Sequence, residues 1–321
     1  MYEKPNVDPF HHAELVKDGL YYQYTTSADP VSAGFITKIP CIPFLHTLHE
    51  EGDTRIIPLD ISKELQTPYP ATSPALLANF VRIKSGEHID TSCNATSQIF
   101  YVIRGNGHTE VGDKKIPWNS GDFFVLPSCS PATHYAEIES AFYYVHDEPL
   151  LSFLGATATK ARFEPTLYVA ETAFSELQKV IEQPGSTGRN RLSVLLANAN
   201  FPQTRTITHV LWAMFGVLPA NEVQQPHRHQ SVAIDFAVEC QPGCYTLIGE
   251  KINAQGEIVN PIRVDWSSNS VFITPPGHWH SHHNESGVQA HVIPLQDAGL
   301  HTYLRSLNII FSGPNMTNFV G

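Results

Sequence analysis

The chain has no cluster of lysine or arginine. Twenty basic against 31 acidic side chains leave a formal charge of −11 over 321 residues. An acidic surface without a basic patch argues against the phosphate backbone of nucleic acid, or an anionic membrane, as partner. No apolar run approaches the length of a membrane span, and residues 1–15, MYEKPNVDPFHHAEL, lack the basic start and apolar core of a signal peptide. The expectation is a soluble, cytoplasmic protein that acts on a small molecule. Cysteine is also scarce: Cys41, Cys93, Cys129, Cys240 and Cys244 are odd in number and show no C-x-x-C spacing. They read as reduced thiols, with Cys240 and Cys244 packing beside a Gln-Pro-Gly turn.

Apolar residues make up 42% of the chain, enough for real cores, and 24 prolines with 20 glycines punctuate short runs rich in Val, Ile, Phe and Tyr. That pattern predicts an all-β or β-rich fold with a few helices. Residues 1–75 carry no strong period and read as an N-terminal arm. Residues 76–155 read as a meander of antiparallel strands with turns at Gly105-Asn106-Gly107, Gly112-Asp113 and 119–122. Residues 156–200 read as a helical linker, in which Thr172 caps a helix with Phe174, Leu177, Val180 and Ile181 on one side. Residues 201–321 repeat the order of the first meander, which implies an internal duplication.

Seventeen histidines are present, and six of them fall in two tight groups. In 225–239, QPHRHQSVAIDFAVE, His227 and His229 are two residues apart in an alternating run, so both imidazoles leave one face of a strand. In 274–285, TPPGHWHSHHNE, His278, His280 and His282 again have period two after a Pro-Pro-Gly turn. Three imidazoles converging across a small antiparallel barrel would hold one transition-metal ion and leave coordination positions open. By period alone His278, His280 and His282 are equal candidates for the third ligand. Arg228 and Trp279 point away from that face and read as packing.

These residues resemble the cupin superfamily. Pro275, Gly277, His280 and Asn284 match its Pro-x-Gly-x-x-His-x-x-x-Asn motif at every position, and that match implies His227, His229 and His280 as the metal ligands. The glutamate that many cupins add as a fourth ligand is replaced by Ala233 and Ile234. A three-histidine site, together with 211–239, is similar to the bicupin dioxygenases that cleave gentisate, salicylate or 1-hydroxy-2-naphthoate. The resemblance implies two jelly-roll barrels, a homo-oligomer (dimer or tetramer), Fe(II) as the metal with Ni, Mn or Zn as alternatives, and O2 with a small aromatic as substrates. The implied enzyme is a non-haem Fe(II) dioxygenase of extradiol type.

His282 resembles the family's histidine that hydrogen-bonds a substrate oxygen; Trp212 fits a pocket wall, and Arg263, which alternates with Asp265 on a strand entering the barrel, reads as a substrate contact or as half of a surface ion pair. The family's carboxylate-binding arginine is here Asp235 and its glutamine is here Gly216. Asp235 is therefore expected to shape substrate choice toward amino, hydroxyl or cationic groups. In the first barrel Ser92, Asn94 and Gln98 align with the ligand positions, with His134 near the third. That barrel is expected to hold no metal. A metal-dependent isomerase or lyase, or a non-catalytic binding bicupin, are the alternative functions.

Overall fold

A computed structural model describes residues 14–128, 130–185 and 191–312; Cys129 and the 186–188 stretch lie outside them. Two compact units are present, residues 1–38 and 39–321. Within the described part of the first, the short helix Tyr24–Ser27 buries none of its residues.

The second unit is built from two antiparallel sandwiches. In the first, six strands run in the order Thr166–Tyr168, Phe123–Pro127, Ser97–Arg104, Ser140–His146, Leu77–Ile83, Arg55–Pro58. Its facing sheet holds His88–Thr91, Ala132–Ala136, Asn106–Val111 and Lys114–Asn119. In the second, the six-stranded sheet is Pro43–Phe44, Ser270–Thr274, Ala233–Glu239, Ala290–Gln296, Trp212–Leu218, Leu192–Leu196. Five strands face it: Ile262–Asp265, Cys244–Gly249, Trp279–Asn284, Val223–Arg228 and Ile310–Phe311. This is the β-rich, two-barrel bicupin architecture. Strands from the 1–75 and 156–200 stretches hydrogen-bond into the sheets of both barrels, because those edges would otherwise expose unpaired backbone groups.

Leu77–Ile83 and Ser140–His146 are buried at every position, since one face lines a barrel and the other lies under the second barrel. The shared core makes this concrete. Tyr143 stacks on Phe236 at 5.0 Å between centroids and donates its hydroxyl to Ile234 O at 3.1 Å. At the first hairpin Gly105 has φ +93, and a Cβ there would meet Ser140 Oγ at 2.0 Å, so glycine is required.

The helix after the first barrel spans Ala170–Glu182. Its N-cap is Val169 rather than Thr172, and the orphan N–H of Ala170 is satisfied by Asp122 Oδ1 at 2.8 Å from the barrel turn. A tertiary cap replaces the local one. After the last barrel strand come a helix, Ala298–Tyr303, and the short strand Ile310–Phe311.

Strand pairing fixes the internal duplication residue by residue. Thr109 pairs with His134 and Thr246 with His282, while Thr91 pairs with Ala132 and His227 with His280. His134 is thus the counterpart of His282, and Ala132 of His280. Thr91 stands where His227 stands in the second barrel, which places Cys93 at the position of His229. Ser92 and Asn94 are each one residue out of that register, because the loop that follows is one residue longer in the first barrel. Asn94 instead turns outward, donating to Ala156 O and accepting from Ala158 N.

Candidate metal centre

His227 is the penultimate residue of the strand Val223–Arg228, which pairs with the strand carrying His280, and the backbone of His229 is tied to the Pro-Pro-Gly turn by Gly277 N–H donating to His229 O at 2.7 Å. Gly277 takes φ +74, the left-handed conformation that lets the chain reverse and deliver His280 back toward the His-x-His strand. The result is a buried trio: one ring nitrogen from each of His227, His229 and His280 lies within 4.8 Å of the others. Among the described residues no other group of metal-binding side chains converges in this way.

The donor atoms suit a cation. His229 Nδ1 lies 2.9 Å from Ser231 O, and His280 Nδ1 lies 3.1 Å from His278 O. Carbonyl acceptors hold the proton on Nδ1, which leaves the Nε2 lone pair as ligand. His229 Nε2 is buried with no protein partner. Burial holds His227 and His280 well below the ordinary imidazole range and His229 down to about 4, so all three are neutral. Neutral imidazole is the ligating form.

Asn284, the last residue of the motif, serves the turn rather than the ion. Its Nδ2 donates to Leu218 O, Pro219 O and Val288 O, and its Oδ1 accepts from Ser286 N at 2.9 Å.

His282 is also buried and lies beside the trio. Thr246 Oγ1 accepts the Trp266 indole N–H at 2.8 Å and sits 2.8 Å from His282 Nδ1. When the single hydroxyl proton of Thr246 goes to Nδ1, His282 carries its own proton on Nε2. The first barrel repeats the relay with Trp118, Thr109 and His134. There the second ring nitrogen of His134 is taken by Thr91 Oγ1 at 2.9 Å, so His134 is fully engaged by hydroxyls.

Asp235 is buried on Ala233–Glu239, in the six-stranded sheet that faces the histidine strands. Thr274 donates to its Oδ2 at 3.0 Å, and burial pushes its carboxyl up to about 7 against the opposing pull of Thr274 and Arg191. Arg191, absent from the sequence reading, sits just before Leu192–Leu196 and lines the same space as Asp235, His227, His280 and His282. Its guanidinium contacts the ring of His227, and burial lowers it to about 9. Ser193 follows on that strand, opposite Gly216; a Cβ at Gly216 would come within 2.5 Å of Ser193 Oγ. Nothing in the local pattern around 191–193 signals a site. Only the pairing of this edge strand with Trp212–Leu218 brings it there.

The remaining candidates lie elsewhere. Trp212 is half-buried at the start of its strand and does not line the space at the trio, which Met214 reaches instead. Arg263 is exposed on the outer strand, paired with Asp265 at 2.8 Å and stacked on Tyr245 at 3.6 Å. It is not brought to the trio, because its strand is the sheet's free edge. Arg228 stacks on Trp279 at 5.1 Å, away from the ligand face as its period predicts. Phe311 covers His227, with ring centroids 5.5 Å apart. The space left at the trio is about 20 Å³, room for about one water.

No family model matches the chain. In sequence it is 29% identical to gentisate 1,2 dioxygenase 1 of Aquipseudomonas alcaligenes over 157 residues, 47% of this chain and 40% of that protein. It is 30% identical to a 1-hydroxy-2-naphthoate 1,2-dioxygenase of Nocardioides sp. (strain KP7) over 107 residues, 33% of this chain and 24% of that protein. The matched stretches therefore span less than half the length of these relatives. In structure it resembles salicylate 1,2-dioxygenase of Pseudaminobacter salicylatoxidans, with TM-score 0.72 at 13% identity over 97% of this chain and 100% of that one. A variant of that enzyme in complex with gentisate gives TM-score 0.70 at 14% identity, covering 98% of each chain. The chain thus resembles cupin dioxygenases in sequence and shares their fold. No helix of the described residues is long and apolar enough to cross a membrane.

Proposed function

We propose that the protein is an Fe(II)-dependent dioxygenase that cleaves the ring of a hydroxylated or amino-substituted aromatic. The observation that carries this reading is the buried trio of His227, His229 and His280, neutral and with no carboxylate among its members. Three neutral donors leave positions for both a chelating substrate and O2. The resemblance to dioxygenases supports the same chemistry.

His227, His229 and His280 would hold the iron, which when bound supplies the Lewis acidity and one-electron chemistry that O2 requires. Ser231 O and His278 O fix the tautomers of His229 and His280. His282, oriented by Thr246, presents an N–H to a substrate oxygen and stabilises the charge that develops on it. Asp235 accepts from a hydroxyl or amino substituent. Phe311 and the surrounding apolar core exclude water, which strengthens each of these contacts.

The test is metal analysis of the purified protein together with O2 uptake against aminophenols, hydroxybenzoates and dihydroxybenzenes. Stoichiometric O2 uptake with loss of the aromatic absorbance is expected. Turnover of the true substrate under anaerobic conditions would instead assign the site to a metal-dependent lyase or isomerase.

A further inference from the structure

We infer that Gln296, acting through the hydroxyl of Ser231, is a positioning residue for the metal: it keeps the proton of His229 on Nδ1 and so keeps Nε2 open as a ligand. The inference rests on the trio being a metal site, the part of the proposed function that it deepens.

His229 Nδ1 has two polar neighbours, both from Ser231. The carbonyl oxygen lies at 2.9 Å and the hydroxyl at 3.0 Å. The carbonyl can only accept, and so favours a proton on Nδ1; the hydroxyl can accept or donate. By donating to Nδ1 it would place the ring's own proton on Nε2 and block the lone pair that a metal needs. Gln296 removes that choice. Its Oε1 accepts the Ser231 hydroxyl proton at 2.8 Å, so His229 meets the lone pairs of that hydroxyl and not its proton.

The glutamine is held firmly where it acts. Its side chain is buried, and its backbone pairs with Trp212 on one side and Ala233 on the other. The next residue, Asp297, accepts the N–H of Val232 at 2.9 Å, so 296–297 clamp the loop after His229 at two adjacent points.

The first barrel separates the roles of these two contacts. Gln98 pairs with Leu126 and His146 as Ala233 pairs with Thr274 and Gln296, which makes His146 the counterpart of Gln296 and Asp147 that of Asp297. Asp147 accepts from Thr96 N at 2.7 Å and Ser97 N at 2.9 Å, so the aspartate clamp occurs in both barrels and serves the fold. The glutamine contact has no such double. His146 Nδ1 instead accepts from Glu148 N at 3.4 Å, and Cys93 stands at the position of His229. The relay is present only in the barrel that has an imidazole to orient.

The experiment measures the dissociation constant for Co(II), by chelator competition, on the metal-free full chain without O2 or substrate. Gln296→Met and Gln296→Leu, which remove the acceptor, are each expected to weaken Co(II) binding about ten- to a hundredfold. Adding Ser231→Ala to either removes the competing hydroxyl while the backbone carbonyl still holds Nδ1, and is expected to restore affinity to within about threefold of the wild type. A loss of packing would not be rescued by a second truncation. Selective 15N labelling of histidine reads the proton itself: on Nδ1 of His229 in the wild type, shifted toward Nε2 in the two single variants. Melting curves establish that each variant is folded. Unchanged affinity in both single variants, a loss that Ser231→Ala fails to rescue, or a proton on Nε2 of His229 in the wild type overturns the relay. Failure of the wild type to bind Co(II) sinks the metal-site reading and the relay with it; equal binding by the wild type and the single variants sinks the relay alone.

Discussion

Thr246→Val tests how His282 is held. Thr246 is wholly buried, and its hydroxyl serves both Trp266 Nε1 and His282 Nδ1 at 2.8 Å. Valine has the same shape, so no cavity opens, but two buried polar atoms lose their partner. Each orphan costs about 1–3 kcal/mol, giving about 2–4 kcal/mol after local relaxation. His282 also loses the contact that fixes its tautomer, which is expected to lower turnover about 10- to 100-fold. The first barrel supplies the control. Thr109→Val orphans Trp118 Nε1 and His134 Nδ1 in the same way, and Thr109 is equally buried. It is expected to cost a similar stability while the turnover of folded protein stays unchanged. Urea unfolding gives the two stabilities, and an oxygen electrode gives kcat at a temperature where both variants are folded. Equal turnover losses in the two variants, or wild-type turnover in Thr246→Val, would refute a chemical role for the orientation of His282.

Tyr143→Phe removes the hydroxyl that bridges the two barrels at Ile234 O and is expected to cost about 1 kcal/mol, read as a lower urea midpoint with unchanged m; an unchanged midpoint would show the bridge adds nothing. Acid is expected to weaken the fold through His134 and His146, both pushed down to about 3 by burial. Unfolded, each takes up a proton near pH 6.5; folded, each stays neutral until about pH 3. Their contribution is therefore complete above pH 6.5 and is lost as pH falls from there toward 3, about 2 kcal/mol from each by pH 5. Urea unfolding at pH 7 and pH 5 reads this directly, and a flat profile that His134→Val leaves unaltered would contradict it.

Much of this was legible because strand chemistry is local. The glycine hairpin at Gly105, the alternation around His227 and His229, and the turn ending at Gly277 are each written within a few residues. The His-rich segments therefore announced their own convergence. What stayed hidden depended on pairing between distant strands. A one-residue difference in a loop moved the counterparts of His227 and His229 to Thr91 and Cys93, a slip that spacing alone cannot detect. Arg191 and Ser193 carry no motif and reach the site only through the register Ser193 to Gly216. Arg263 alternates like a barrel residue, yet its strand lies at the outer edge of the sheet. The cap of the helix Ala170–Glu182 comes from Asp122, 48 residues earlier, where no local rule would look for it.

The most direct test of the account is the metal content of the wild type, His280→Ala and His282→Ala, measured on purified protein by mass spectrometry. One equivalent of iron per chain is expected in the wild type. Severe loss is expected in His280→Ala, whose ring belongs to the trio within 4.8 Å. His282→Ala should keep its iron and lose turnover. Two equivalents in the wild type, or iron retained by His280→Ala and lost from His282→Ala, would contradict the assignment.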